Sequence, residues 1–166
     1  MQNDSHSNNS GRLVTVIRIR GRAGIRKKFE TTLNLLNLHK PNHATLLPLT
    51  ANYKGMLQKI RHLIAWGEPS LDMLLQLLKQ RGKVVNGGDL NDELVKEKSR
   101  GKYQNVTELT EAIWEKKSLQ EIEWLRPVFR LHPPVKGFKN IKKSFEGGGS
   151  YGYWGKDIDR ILKRMI

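Results

Sequence analysis

The chain has 166 residues, with 30 Lys and Arg against 16 Asp and Glu, a formal net charge of +14 and no cysteine. The missing cysteine excludes a disulfide scaffold, a Cys-ligated zinc ribbon, a CxxC redox site and a Cys nucleophile, and the length suits one domain or one domain with a substantial appendage. The charge points to a polyanionic partner, nucleic acid ahead of an anionic membrane surface, and no apolar run approaches the roughly 18 residues that span a bilayer.

Residues 1–11 are rich in Asn and Ser and lack the apolar stretch of a secretory signal. They read as a disordered tail on a soluble, intracellular protein. Leu13–Arg20 alternates as a strand, with Leu13, Thr15, Ile17 and Ile19 on one face and Val14, Val16, Arg18 and Arg20 on the other. Two arginines on one face predict a wet or ligand-facing side. After the Gly21–Gly24 break, Ile25–Leu36 fits a helix with Ile25, Phe29, Leu33 and Leu36 as its stripe, and Pro41 bars any continuation. Ala44–Leu49 is a second strand, Tyr53–His62 a second helix and Leu63–Trp66 a third strand. This β-α-β-α-β order predicts an α+β fold, an antiparallel sheet with two helices on one face, because runs this short are not expected to cover both faces.

Ser70 caps a further helix to Gln80 with the stripe Leu71, Leu74, Leu75 and Leu78. Asp89–Lys98 and Asn105–Lys117 are shorter helices. Asn105/Glu108 and Ser118/Glu121 both have capping-box spacing. Pro127–Leu131 is a last strand and Asp157–Met165 a closing helix. The Pro- and Gly-rich stretches between them are expected to lie as extended loops that order on contact. The division expected is a tail over 1–11, a core over 12–68, and a helical, loop-rich extension over 69–166.

Charge separates along the chain. Residues 1–62 hold 11 basic and 2 acidic residues, 63–124 hold 9 and 11, and 125–166 hold 10 and 3. Three basic clusters are candidates for RNA contact. The first is Arg18, Arg20, Arg22, Arg26, Lys27 and Lys28, three of them in a first helical turn where the macrodipole disfavours cations. The second is Lys54, Gln58 and Arg61 on one helix face. The third is Arg126, Arg130, Lys136, Lys139, Lys142 and Lys143 around His132-Pro-Pro134, with Phe138 and Phe145 as either base-stacking or local core residues. Tyr151, Tyr153 and Trp154 carry the same two readings. Catalytic constellations are not found: the Gly155-Lys156 pair lacks the rest of a P-loop, and His39 and His43 are separated by Pro41 and cannot share a helix face toward a metal. No cofactor or metal is expected. Charge alone fits equally a free RNA- or DNA-binding module, whereas an RNA-processing enzyme lacks its paired acid–base groups.

Val16-Ile-Arg-Ile-Arg-Gly-Arg-Ala-Gly-Ile-Arg-Lys-Lys28, Thr31–Leu38 and Lys54-Gly-Met-Leu-Gln-Lys-Ile-Arg-His-Leu63 resemble the universal large-subunit ribosomal protein thirty family. Phe129-Arg-Leu-His-Pro-Pro134, Gly137-Phe138 and Gly148–Gly152 resemble the C-terminal part of its longer archaeal type, whose eukaryotic counterpart is numbered seven. The resemblance runs from about Leu13 to Ile166. It implies a non-catalytic protein of the cytoplasmic large ribosomal subunit that binds large-subunit rRNA, lies near 5S rRNA and touches neighbouring ribosomal proteins, with no membrane and no small-molecule substrate. It further implies RNA contacts at Arg20, Arg22, Gly24, Arg26, Lys27 and Lys28, at Gly55, Lys59, Arg61 and His62, and at Arg130, His132, Lys136 and Gly137. The chain departs from the pattern in placing Val135 before Lys136.

Overall fold

A computed structural model describes residues 12–119 and 121–166; the expected tail over 1–11 lies outside them. The chain runs β1 (Leu13–Arg18), α1 (Lys27–Leu35), β2 (His43–Pro48), α2 (Ala51–Lys59), a 3-10 turn (Arg61–Leu63) and β3 (Ile64–Gly67). It continues with α3 (Leu71–Arg81), α4 (Asp92–Lys98), α5 (Val106–Lys116), β4 (Val128–Arg130), β5 (Gly152–Tyr153), a second 3-10 turn (Gly155–Asp157) and α6 (Ile158–Leu162). The expected α+β class and β-α-β-α-β core are present.

One sheet takes strands from both sides of residue 68, in the order β4-β2-β1-β3-β5. β1 pairs antiparallel with β2 and β3, and β2 with β4. β5 is parallel to β3 and falls in the Gly-rich stretch where a loop was expected. Its two residues are too few for a periodic signal. The antiparallel expectation therefore holds for four strands and fails for the fifth.

Both faces of the sheet are covered, against expectation. On one, Val14, Val16, Leu47, Ile64 and Trp66 pack with Leu33 and Leu36 of α1 and Leu57 of α2. On the other, Leu13, Ile17, Ile19, Leu46 and Ala65 meet Leu74 and Leu78 of α3, Leu109 and Ile113 of α5, and Ile158 and Ile161 of α6. Burying each such Leu or Ile contributes about 1.5–3 kcal/mol. The extension supplies the cover that the core helices cannot, so β1 is buried along its whole length and no arginine face is wet.

Local chemistry sets the boundaries. α1 is capped at Leu36, where its end was expected: Asn37 takes φ +59, the Leu38 N–H donates to the Leu33 carbonyl (2.8 Å) and the Asn37 N–H to that of Asn34 (3.0 Å). This is the six-to-one, five-to-two closure of a helix by a left-handed residue. Ser70, Asn91 and Asn105 each accept a backbone N–H as N-caps. Asn91 explains why α4 starts after Asp89, which instead bridges to Lys83. The α3 stripe is rotated from expectation. Met73 and Leu77 are buried beside Leu74 and Leu78, while Leu71 is exposed. Among the described residues no helix starts at Ser118, and Glu121 pairs with Lys116 at 2.8 Å. α6 is shorter than expected: Asp157 belongs to a 3-10 turn, and residues 163–165 leave the helix as a turn.

Candidate nucleic-acid interface

Because β1 is antiparallel to β2 and β3, and β2 to β4, one end of the sheet gathers the end of β1, the starts of β2 and β3, and the end of β4. The three basic clusters emerge there.

Arg18 is the keystone of the first cluster. It is 1% exposed. Its guanidinium donates to the carbonyls of Arg20 (2.9 Å), Leu38 (2.8 Å) and Gly21 (3.3 Å). Burial, then the Arg22 charge, lowers its pKa, with Glu30 opposing; an arginine so placed remains charged. A rigid fork of donors suits three carbonyls at once. Arg18 was expected among the RNA contacts; the structure buries it and bonds each of its three nitrogens to the chain.

What Arg18 holds is the basic turn. The Ile19 and Arg20 N–H groups donate to the Leu63 carbonyl, and Arg22 Nε donates to the His39 carbonyl (3.3 Å). Arg22, Gly24, Arg26, Lys27 and Lys28 are exposed and Arg20 half-buried. Gly24 takes φ +73, the left-handed region that favours glycine. Arg26 stands at the N-cap of α1 and offers no side-chain cap. The cations of Lys27 and Lys28 sit at the positive end of the helix, an arrangement that costs about 0.3–1 kcal/mol each and favours an incoming anion.

The second cluster is joined to the first. Phe29 meets His62 edge to face at 4.9 Å. Burial, then Arg20 and Arg61, lowers the His62 pKa. Lys54, Gln58, Lys59 and Arg61 are exposed along α2 and the turn after it, with Lys54 farthest from the sheet end. Gly55, also exposed, has no atom within 4 Å of where a Cβ would stand. Nothing in the chain requires a glycine there, although one inside a helix costs about 0.5–1 kcal/mol against alanine.

The third cluster is tied down by the chain's own end. Arg130 lies opposite His43 across β4 and β2. The His132 N–H donates to the Met165 carbonyl (2.9 Å) and the Val135 N–H to that of Arg164 (2.9 Å). The Arg164 guanidinium returns to the carbonyls of Val135 and Gly137. Lys136 (φ +66) and Gly137 (φ +70) form the turn that projects the lysine. Ser150 N–H donates to the carbonyls of Asn140 and Lys143, fixing the loop that carries the exposed Lys139, Lys142 and Lys143. These loops have internal hydrogen bonds rather than awaiting a partner. Phe138, Tyr151 and Trp154 pack on the second-face cluster and Phe145 stacks on Trp154 at 4.1 Å, whereas Tyr153, 42% exposed, lies 4.6 Å from Trp66 at the surface. Arg126 stands apart, half-buried at the start of β4 on the flank of the sheet.

Among the described residues there is no group of three His, Asp or Glu placed to hold a metal, and no helix long and apolar enough to cross a membrane. The fold and surface define a class: a basic α+β protein that gathers cations at one end of a doubly covered sheet. Residues 14–64 match the family model described as Ribosomal protein L30p/L7e. A Methanosphaera stadtmanae protein named Large ribosomal subunit protein uL30 is 43% identical, covering 93% of this chain and 100% of its own. Proteins of the same name from Archaeoglobus fulgidus (42%; 92% and 99%) and Korarchaeum cryptofilum (40%; 93% and 95%) are similarly related. The chain belongs to the ribosomal protein L30p/L7e family, a family of structural components rather than enzymes.

Proposed function

We propose that the protein is a structural constituent of the large subunit of the cytoplasmic ribosome, holding large-subunit rRNA by its phosphates. The observation that carries this is the convergence at one sheet end of the basic turn, Arg61 and His62, and the segment from Arg130 to Lys143, drawn from sequence positions over a hundred residues apart. Exposed cations on ordered backbone suit phosphate and sugar contacts and recognition of RNA by shape. Contacts fall to Arg20, Arg22, Gly24, Arg26, Lys27 and Lys28, to Lys54, Gly55, Lys59, Arg61 and His62, and to Arg126, Arg130, His132, Lys136, Gly137, Lys139, Lys142 and Lys143. A position near 5S rRNA and contacts with neighbouring ribosomal proteins belong to the same reading, supported by the likeness to the long archaeal type.

The test is sedimentation of tagged protein through a high-salt sucrose gradient, followed by ultraviolet crosslinking to identify the RNA. Near one-to-one migration with large subunits and crosslinks to large-subunit rRNA are expected, with 5S crosslinks marking the finer placement. Protein that stays at the top of the gradient and binds duplex DNA as well as rRNA would make it a free nucleic-acid binder instead.

A further inference from the structure

A groove on the flank of the sheet collects cations that the chain keeps far apart. Its walls are His39 from the α1–β2 connection, His43 of β2, Arg81 and Lys83 at the end of α3, and Arg126 and Arg130 around β4. No carboxylate lines it. Lys83 alone of these six has an ion-pair partner among the described residues, Asp89 at 3.1 Å, and that pair is open to solvent. Four buried side-chain polar atoms among the described residues lack a hydrogen-bond partner, and two of them, His43 Nδ1 and Arg81 Nε, belong to this groove. Both atoms are closed to solvent, so they leave the groove floor short of internal partners, and what an anion from outside would meet is the ring of cationic side chains around them. β4 is an edge strand, so the groove is open along its length.

We propose that this groove is a second seat for RNA, taking phosphates of a backbone that runs along the β4 edge, with Arg81 and Lys83 as the contacts it adds to those of the sheet end. The proposal rests on the function proposed above and extends it to a separate face. A guanidinium presents paired donors that fit a phosphate. Continuity favours RNA over an acidic peptide. Arg22 of the basic turn donates to the His39 carbonyl at 3.3 Å, so one polyanionic strand can pass from the sheet end into the groove. Arg81 also lies in the last turn of α3, where a cation suits the helix dipole; that role affects folding and leaves the number of bound phosphates unchanged.

The experiment measures the full chain binding an in vitro transcript of archaeal large-subunit rRNA across a salt series. Four proteins are compared: wild type, R81Q/K83Q, R22Q/K27Q in the basic turn, and K96Q/K98Q on α4 as a charge-matched control. If the groove takes two phosphates, the log–log salt slope of R81Q/K83Q becomes shallower by about 1.8, and affinity at 0.15 M salt falls about 30-fold. The control pair stays near wild type. If R22Q/K27Q loses affinity while R81Q/K83Q tracks the control, the groove is overturned and the sheet-end reading stands. If neither pair loses affinity, both fail. Unfolding midpoints identify a variant that does not fold; K83Q alone then replaces R81Q/K83Q and is judged by a slope shallower by about 0.9.

Discussion

Replacing Arg18 with methionine separates the scaffold from the contact surface. The substitution keeps an unbranched apolar stem, two atoms shorter than arginine, and removes every donor. Its bond to the Leu38 carbonyl is buried, and those to Arg20 and Gly21 are partly so. A hydrogen bond to a charged group contributes about 1.5–3 kcal/mol when buried, so the Leu38 bond is taken at about 2 kcal/mol. The other two, whose carbonyls water can reach once the arginine is gone, add about 1.5 kcal/mol together. Relief of burying a charge offsets about 1 kcal/mol, leaving a net loss near 2–3 kcal/mol. With a urea slope of about 2 kcal/mol/M, the unfolding midpoint of R18M falls by about 1–1.5 M. R18K keeps the charge but presents a single ammonium to three carbonyls, and falls between. In RNA binding, R18M loses affinity by misplacing Arg20 and Arg22 yet keeps the wild-type salt slope, since no phosphate contact is deleted. An unchanged urea midpoint together with a slope shallower by about 0.9 would show that Arg18 touches a phosphate directly and would refute the reasoning.

Three more outcomes follow from the same geometry. G55A should raise the stability of the free protein by about 0.5–1 kcal/mol in urea titrations while weakening rRNA binding, because the methyl group meets nothing in the chain and faces outward; a stabilised variant with unchanged binding would remove Gly55 from the interface. G67A should destabilise by at least about 1–3 kcal/mol, since its Cβ would stand 2.2 Å from the Gly155 carbonyl oxygen, backbone that cannot step aside; a wild-type midpoint would contradict that packing. His43 and His62 have pKa values lowered first by burial and then by cations, Arg130, His39, Lys40 and Arg18 around His43, Arg20 and Arg61 around His62. The unfolded chain therefore binds more protons, so their contribution to stability is complete above about pH 6.5 and is lost as pH falls toward the lowered values. Phosphate favours the imidazolium, so rRNA affinity should rise over the same fall, and H43N/H62N should flatten both curves.

Much of the core was legible because it is local. The alternation of Leu13–Arg18, the stripes of α1 and α2, and the caps at Ser70 and Asn105 each lie within a dozen residues. What was missed depends on distant chain. Arg18 shares a strand face with Val14 and Val16, and its charge suggested solvent; the β-branched and apolar run from Leu13 to Ile17, interrupted only by Thr15, was the better signal, since a strand covered on both faces reads as a near-continuous apolar run. Arg81 and Lys83 were hidden by averaging. They belong to the stretch with 9 basic and 11 acidic residues, and the fold, not the order of the chain, carries them to Arg126 and Arg130. Continuity of charge along a sequence therefore understates a basic surface assembled across a sheet.

The local rules that this sequence breaks are informative when sorted by whether the chain itself explains them. Arg100 takes φ +54, and the break has an internal cause: its N–H donates to Glu97 and that of Gly101 to Lys96, closing α4. Asn37 closes α1 in the same way. Lys136 at φ +66 closes no helix; it occupies a Pro134–Gly137 turn that Arg164 holds by its carbonyls, where glycine would be easier. Lys27 and Lys28 oppose the dipole of α1 without a carboxylate cap, and Gly55 interrupts α2 without a neighbour that needs the space. Each of these unexplained choices is exposed within one of the three basic clusters. Local conflicts that packing does not repay inside the molecule are expected where a partner does so on binding, and a polyanion pressed against the sheet end would relieve all of them: charge for Lys27 and Lys28, close approach for Gly55, and a phosphate for Lys136.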